Sequence, residues 1–162
     1  MVLSEFCIVL IKKEQSILAT SLELKSLADE RISEAEILSG NAKHEGVFYL
    51  AGYAIEFALK AVTCKRLGVE IYDKEVDNAA KGLSQKALNA FMTHNLTDLL
   101  TLSGLKVKFE LDKATNSGLT KAWSELSRWN EQRRYDSGCS EVVANNFLRS
   151  SNTLLTWIKQ HW

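Results

Sequence analysis

The sequence predicts an all-α fold, an up-and-down bundle of four to five helices around one long central helix, and three observations point to it. Proline is absent from all 162 residues, so the strongest helix breaker is missing. Residues 42–67 form one long, mostly apolar stretch closed by Gly68. Elsewhere apolar residues recur at three- and four-residue steps between residues that cap helices.

The elements follow in chain order. Residues 1–20 are an N-terminal apolar segment of the same unit, and residues 21–162 are the helical domain. Within the first segment, Phe6-Cys7-Ile8-Val9-Leu10-Ile11 is an apolar run with no basic residue before it and Lys12, Lys13 and Glu14 directly after it. That is too short and wrongly flanked for a signal peptide or a membrane span. A short helix, a strand and an apolar latch on a partner all suit it. The first helix begins near Ser21. Thr20 and Glu23 have capping-box spacing, in which hydroxyl and carboxylate each satisfy the other residue's backbone amide. Leu24, Leu27, Ala28, Ala35 and Leu38 make its stripe, with Arg31 intruding, and Gly40 and Asn41 end it.

The second helix spans residues 42–67. Val47, Leu50, Ala54, Phe57, Ala61 and Cys64 form one stripe and Phe48, Ala51, Ile55, Ala58 and Val62 another. A helix apolar on several sides must be covered on several sides. Charges at Glu45, Glu56, Lys60, Lys65 and Arg66, with His44, argue against a membrane span. Ala51, Ala54, Ala58 and Ala61 leave room for another helix to approach closely. Residues 69–82 are polar and irregular. Ser84 to Phe91 is a short helix, and His94 and Asn95 lead into another carrying Leu96, Leu99, Leu100 and Leu102, which stops at Gly104. Lys106 to Leu111 alternates in the manner of an extended segment. After Gly118, a helix places Leu119, Ala122, Trp123, Leu126 and Trp129 or Asn130 on one face, and residues 133–138 break it. Ser140 caps the last helix, whose stripe is Ala144, Phe147, Leu148, Leu154, Leu155 and Ile158.

Composition narrows the chemistry. Twenty basic and twenty acidic residues give zero formal charge, so any nucleic-acid contact must come from a local patch. Cys7, Cys64 and Cys139 have no zinc-ligand spacing. Cys64, among Ala61, Val62 and Leu67, reads as a buried structural thiol. Nothing requires an oxidising compartment, and the expected location is the cytoplasm. No Gly-rich phosphate loop, nucleophile elbow or HExxH motif occurs. No metal site and no cofactor are expected.

Three residue groups are candidates for a site. Glu56 and Lys60 lie one turn apart and can form an ion pair. If Glu56 is buried it needs a partner, and Arg134 is a second candidate for that structural pair. Arg128, Arg133 and Arg134 stand beside Trp129 and Tyr135, a mixture that can hold phosphate and stack a base; cations completing a helix end would look the same. His94 at a helix start suits capping or packing as well as ligand contact.

In their order these pieces resemble the HEPN family. Tyr49-Leu50-Ala51-Gly52-Tyr53-Ala54-Ile55-Glu56-Phe57-Ala58-Leu59-Lys60-Ala61 is similar to that family's long second helix. His94-Asn95-Leu96, with Leu99 and Leu100, resembles its His-Asp-Leu opening of the third helix, with Asn for Asp. Arg134-Tyr135 resembles the Arg-Tyr after the fourth helix. The resemblance spans about residues 21–160. It implies a place among metal-independent ribonucleases, toxins paired with small nucleotidyltransferases, and members without known catalysis. The family's nucleases carry an Arg followed four to six residues later by His. Here the histidines are His44, His94 and His161, and none has an Arg at that distance. The resemblance thus implies a non-catalytic binding module for RNA or a nucleotide, with a partner protein such as a nucleotidyltransferase, in a bacterial toxin–antitoxin or defence-type system. Its contact set would be Lys60, His94, Arg133, Arg134 and Tyr135. It also implies a homodimer. A purely structural homodimer or adaptor, built on the alanine stripe and the apolar N-terminal run, and a ribonuclease with an altered site using His94 and an Arg are the alternatives.

Overall fold

A computed structural model describes residues 20–132 and 138–162. The apolar run Phe6–Ile11 and the residues Arg133, Arg134 and Tyr135 lie outside the described residues. The described chain is all-α, with seven helices and no strand: α1 (Ser21–Gly40), α2 (His44–Leu67), α3 (Gln85–Phe91), α4 (Leu96–Leu102), α5 (Lys106–Thr115), α6 (Ser117–Leu126) and α7 (Glu141–Lys159).

Local chemistry sets the helix ends. The Glu23 carboxylate accepts from the Thr20 amide at 2.8 Å and the Thr20 hydroxyl accepts from the Glu23 amide at 3.2 Å, completing the capping box of α1. Ser84, Asn95 and Ser140 cap α3, α4 and α7 through their side chains. Gly68 closes α2 at φ 65, a left-handed conformation that suits glycine, and its amide donates to the Cys64 carbonyl. The start of α2 is His44 rather than residue 42, because Ala42 sits at φ 56 and cannot join the helix.

Three long helices form the frame. Leu24, Ala28, Ile32 and Ala35 are the buried stripe of α1. Ile32 joins this stripe, Leu38 is half-buried against the core and Leu27 is half-buried, and Arg31 stays half-buried by pairing with Glu34 at 2.8 Å. Phe48 stacks on Phe147 at 3.8 Å near the starts of α2 and α7, and Lys65 donates to the Trp162 carbonyl near their ends. Those contacts make α2 and α7 parallel. Ser39 bonds Asn145, Glu36 bonds Asn152 and Asp29 pairs with Lys159, so α1 runs antiparallel to α7. The chain between Gly68 and Ser140 returns across α2, with α4 packed on α2 and the α5–α6 pair reaching α7.

By length and composition α2 would suffice to cross a bilayer, since the charges near its ends leave an apolar 18-residue window. Packing explains the same sequence, because 72% of that window is buried inside the fold. Ala51, Ala54, Ala58 and Ala61 are all fully buried. The alanine stripe is therefore covered by the chain's own helices and offers no face to a second copy.

Two local expectations change. Lys106–Leu111 is not extended but helical, because its alternation carries no burial: Phe109 is fully buried while Val107 and Leu111 are exposed. Pairs Lys106–Glu110 at 2.8 Å and Lys108–Asp112, each one turn apart, suit a helix. Residues 69–82 are irregular, as expected, yet Ile71 and Tyr72 are buried and cap a second small core with Leu24, Ala61, Cys64 and Leu88.

Candidate functional site

Glu56 and Lys60 are the two charges on the buried part of α2. Glu56 is 1% and Lys60 8% exposed. An isolated carboxylate there would cost several kcal/mol in lost hydration. The fold answers with two partners. Lys60 Nζ lies 2.6 Å from Glu56 Oε1, and His94 Nδ1 lies 3.0 Å from both carboxylate oxygens. The Lys60 ammonium also stands 5.0 Å over the Tyr72 ring, a favourable place for a desolvated cation. Tyr72 donates its hydroxyl to the Phe91 carbonyl at 3.2 Å. Burial, with the nearby Cys64 and Glu56 adding, pushes the Tyr72 phenol far above its ordinary range, so it stays neutral.

His94 is held in place by the turn that precedes α4. Thr93 Oγ1 accepts from the Asn95 amide at 3.1 Å, and Asn95 Oδ1 accepts from the Thr97 and Asp98 amides at 2.9 and 3.1 Å. Asn95, not His94, is thus the cap of α4. With Nδ1 bound to a carboxylate, the hydrogen-bond pattern assigns the neutral imidazole proton to Nδ1 and leaves a lone pair on Nε2. The His94 side chain is 44% exposed, and among the described residues its Nε2 has no hydrogen-bond partner.

An aromatic wall borders the imidazole. Tyr53, one turn before Phe57 on α2, meets His94 edge-on at 6.4 Å and Trp129 at 5.1 Å, and Tyr49 extends the wall at 4.8 Å from Tyr53. Trp129 is buried although α6 ends at Leu126, while Asn130 is exposed. Its indole lies against the backbone of α2 at Gly52, where a Cβ would stand 2.1 Å from the ring. The Trp129 Nε1 hydrogen is buried without a hydrogen-bond partner among the described residues.

No protein-family model matches the chain, and no curated protein or solved structure matches it either. The chemistry of the site rests on its own residues. Among the described residues, no group of three or more His, Cys, Asp or Glu side chains is placed to hold a metal ion. The buried carboxylate fixes an imidazole with one open nitrogen beside aromatic faces. That arrangement can accept a hydrogen bond or a proton, or contact an anion once protonated.

Of the expected site residues, Lys60 and His94 are brought together through Glu56. Glu56 is buried, and its partners among the described residues are Lys60 and His94; the Glu56–Arg134 pair and the Arg133, Arg134 and Tyr135 contacts lie outside them. Tyr53, Gly52 and Tyr72 were not expected in the site. Gly52 carried a signal, since a glycine inside a helix costs about 1 kcal/mol against alanine and points to a close approach.

Proposed function

We propose that this chain is a HEPN-like binding module: an up-and-down bundle of four to five main helices around α2 that takes RNA or a nucleotide and acts with a partner protein in a cytoplasmic toxin–antitoxin or defence-type system of bacteria. One observation carries the reading. His94 is clamped at Nδ1 by the buried Glu56, and its ring meets Tyr53 edge-on at 6.4 Å. A preorganised hydrogen-bonding group next to an aromatic face suits a base or a sugar-phosphate. Lys60 supports His94 through Glu56 rather than meeting the ligand with a free charge. Direct cationic contact with phosphate falls to Arg133 and Arg134, with Tyr135 as a further stacking surface. Fluorescence anisotropy with labelled single-stranded RNA, and calorimetry with nucleotides, test it. Wild type binds, and His94→Ala and Arg133→Ala each weaken binding by about tenfold, as loss of one good polar contact would. Absence of binding to any RNA or nucleotide refutes it.

The Glu56–His94 pair also favours a second reading, a ribonuclease with an altered site. The same carboxylate-bound imidazole can accept a proton from an RNA 2′-hydroxyl. Incubation with labelled RNA separates the two. Cleavage by wild type that disappears in His94→Ala supports the enzyme; binding with no cleavage leaves the module.

A further inference from the structure

The chain has three histidines, and the fold treats their ring nitrogens differently. His44 Nδ1 and His161 Nε2 are buried without a hydrogen-bond partner among the described residues. His94 has the reverse arrangement. Its Nδ1 is engaged by both oxygens of the buried Glu56 carboxylate at 3.0 Å, and its side chain is 44% exposed. A carboxylate on one imidazole nitrogen makes the other more basic, and a histidine activated in this way is a nucleophile.

We propose that His94 Nε2 is a phosphoryl-acceptor site, with an acyl phosphate as the donor. The lone pair on Nε2 of the neutral imidazole attacks phosphorus. The N–P bond forms while the bond from phosphorus to the bridging oxygen breaks, and the donor's carboxylate leaves with that electron pair. Nδ1 keeps its hydrogen, so the ring gains positive charge as Nε2 bonds. That charge develops beside the Glu56 carboxylate, which is already in place and stabilises it without reorganisation. Lys60 holds the same carboxylate through Oε1 at 2.6 Å. Glu56 and Lys60 are thus positioning residues, and His94 is the group that reacts. The sequence has no Gly-rich loop to hold a nucleoside triphosphate, which favours a small activated donor whose leaving carboxylate needs no proton. The inference concerns the reactivity of His94 and stands whether or not the chain binds RNA.

Incubation of the full, reduced chain with acetyl phosphate at mildly alkaline pH tests it. Intact mass should show one added phosphoryl group, tandem mass spectrometry should place it on His94, and the histidine ring ¹⁵N–¹H correlations should place it on Nε2. Native His94 should react at least about tenfold faster than His44 or His161, and in denaturing urea the three should react alike. Glu56→Gln with Lys60→Met removes both buried charges together and strands neither; it should slow His94 at least about tenfold with the circular dichroism unchanged. If that variant does not fold, the comparison of native and urea-denatured wild type decides alone. No transfer to native His94, a phosphoryl group on Nδ1, a native His94 no faster than the other two histidines, or a rate untouched in the folded double variant overturns the proposal.

Discussion

Replacing Gly52 with alanine places a methyl where the Trp129 indole now sits. The new Cβ would be 2.1 Å from Nε1 and Cε2 and 2.5 Å from Cδ1, whereas carbon atoms normally rest about 3.5–4.0 Å apart. The indole, now 2% exposed, has to retreat by about 1.5 Å or leave. Overpacking of this kind costs about 1–3 kcal/mol, and full expulsion approaches the roughly 3–5 kcal/mol of a Trp→Ala truncation. Alanine returns about 1 kcal/mol in helix propensity over glycine. The net expectation for Gly52→Ala is a loss of up to about 2 kcal/mol if the indole shifts and about 2–4 kcal/mol if it is expelled, measured by guanidinium denaturation followed by far-UV circular dichroism. A double-mutant cycle with Trp129→Ala isolates the cause. Once the indole is gone, Gly52→Ala should be neutral or stabilising by up to about 1 kcal/mol. An equal loss in both backgrounds, or a gain in the wild-type background, would refute the packing of Trp129 on α2.

Further outcomes follow from the buried charges and shifted groups. Glu56→Ala should cost about 3–5 kcal/mol in denaturant unfolding, because it strands the Lys60 ammonium in the interior; a loss below about 1 kcal/mol would mean Glu56 is solvated. Hydrogen bonds from Lys106 and then Lys113 hold the Glu110 carboxyl down at about 2. A depressed carboxylate stabilises the fold above its unfolded value of 4.5 and loses that contribution as pH falls toward its folded value. Melting temperatures between pH 5 and 2 should therefore fall less steeply in Glu110→Gln than in wild type; identical slopes would show the pairing to be absent in solution. Burial raises the Cys64 thiol, backbone hydrogen bonds from Ile71 and Tyr72 opposing the rise, so Cys64 should resist a disulfide reagent at neutral pH until denaturant is added. Rapid native labelling, located by mass spectrometry, would contradict its burial.

Features written in local chemistry were legible in the sequence. Thr20, Ser140 and Gly68 act within a turn of their own positions, and each bounds a helix where its side chain or backbone suggested. The apolar circumference of α2 foretold its burial from several sides. Features set by distant partners were not legible. Val107 and Leu111 alternate with Phe109 as a half-buried strand would, and only the three-dimensional contacts of Phe109 show that the other two face outward. Ile71 and Tyr72 lie in a stretch without periodicity, so nothing marked them as core. Glu56 demanded a partner by its burial alone, but His94 is 38 residues away and the nearer chemical candidate was an arginine. Gly52 pointed to a close approach, but nothing in the sequence marked Trp129 as the group that makes it.

A buried carboxylate locks His94 with its proton on Nδ1. Long-range ¹⁵N–¹H correlation of the histidine rings, recorded at alkaline pH, reads this directly. The expected spectrum shows His94 as the Nδ1–H tautomer in the wild type, relaxing toward a tautomer mixture in Glu56→Gln. A wild-type His94 protonated on Nε2, or a tautomer indifferent to Glu56→Gln, would contradict it.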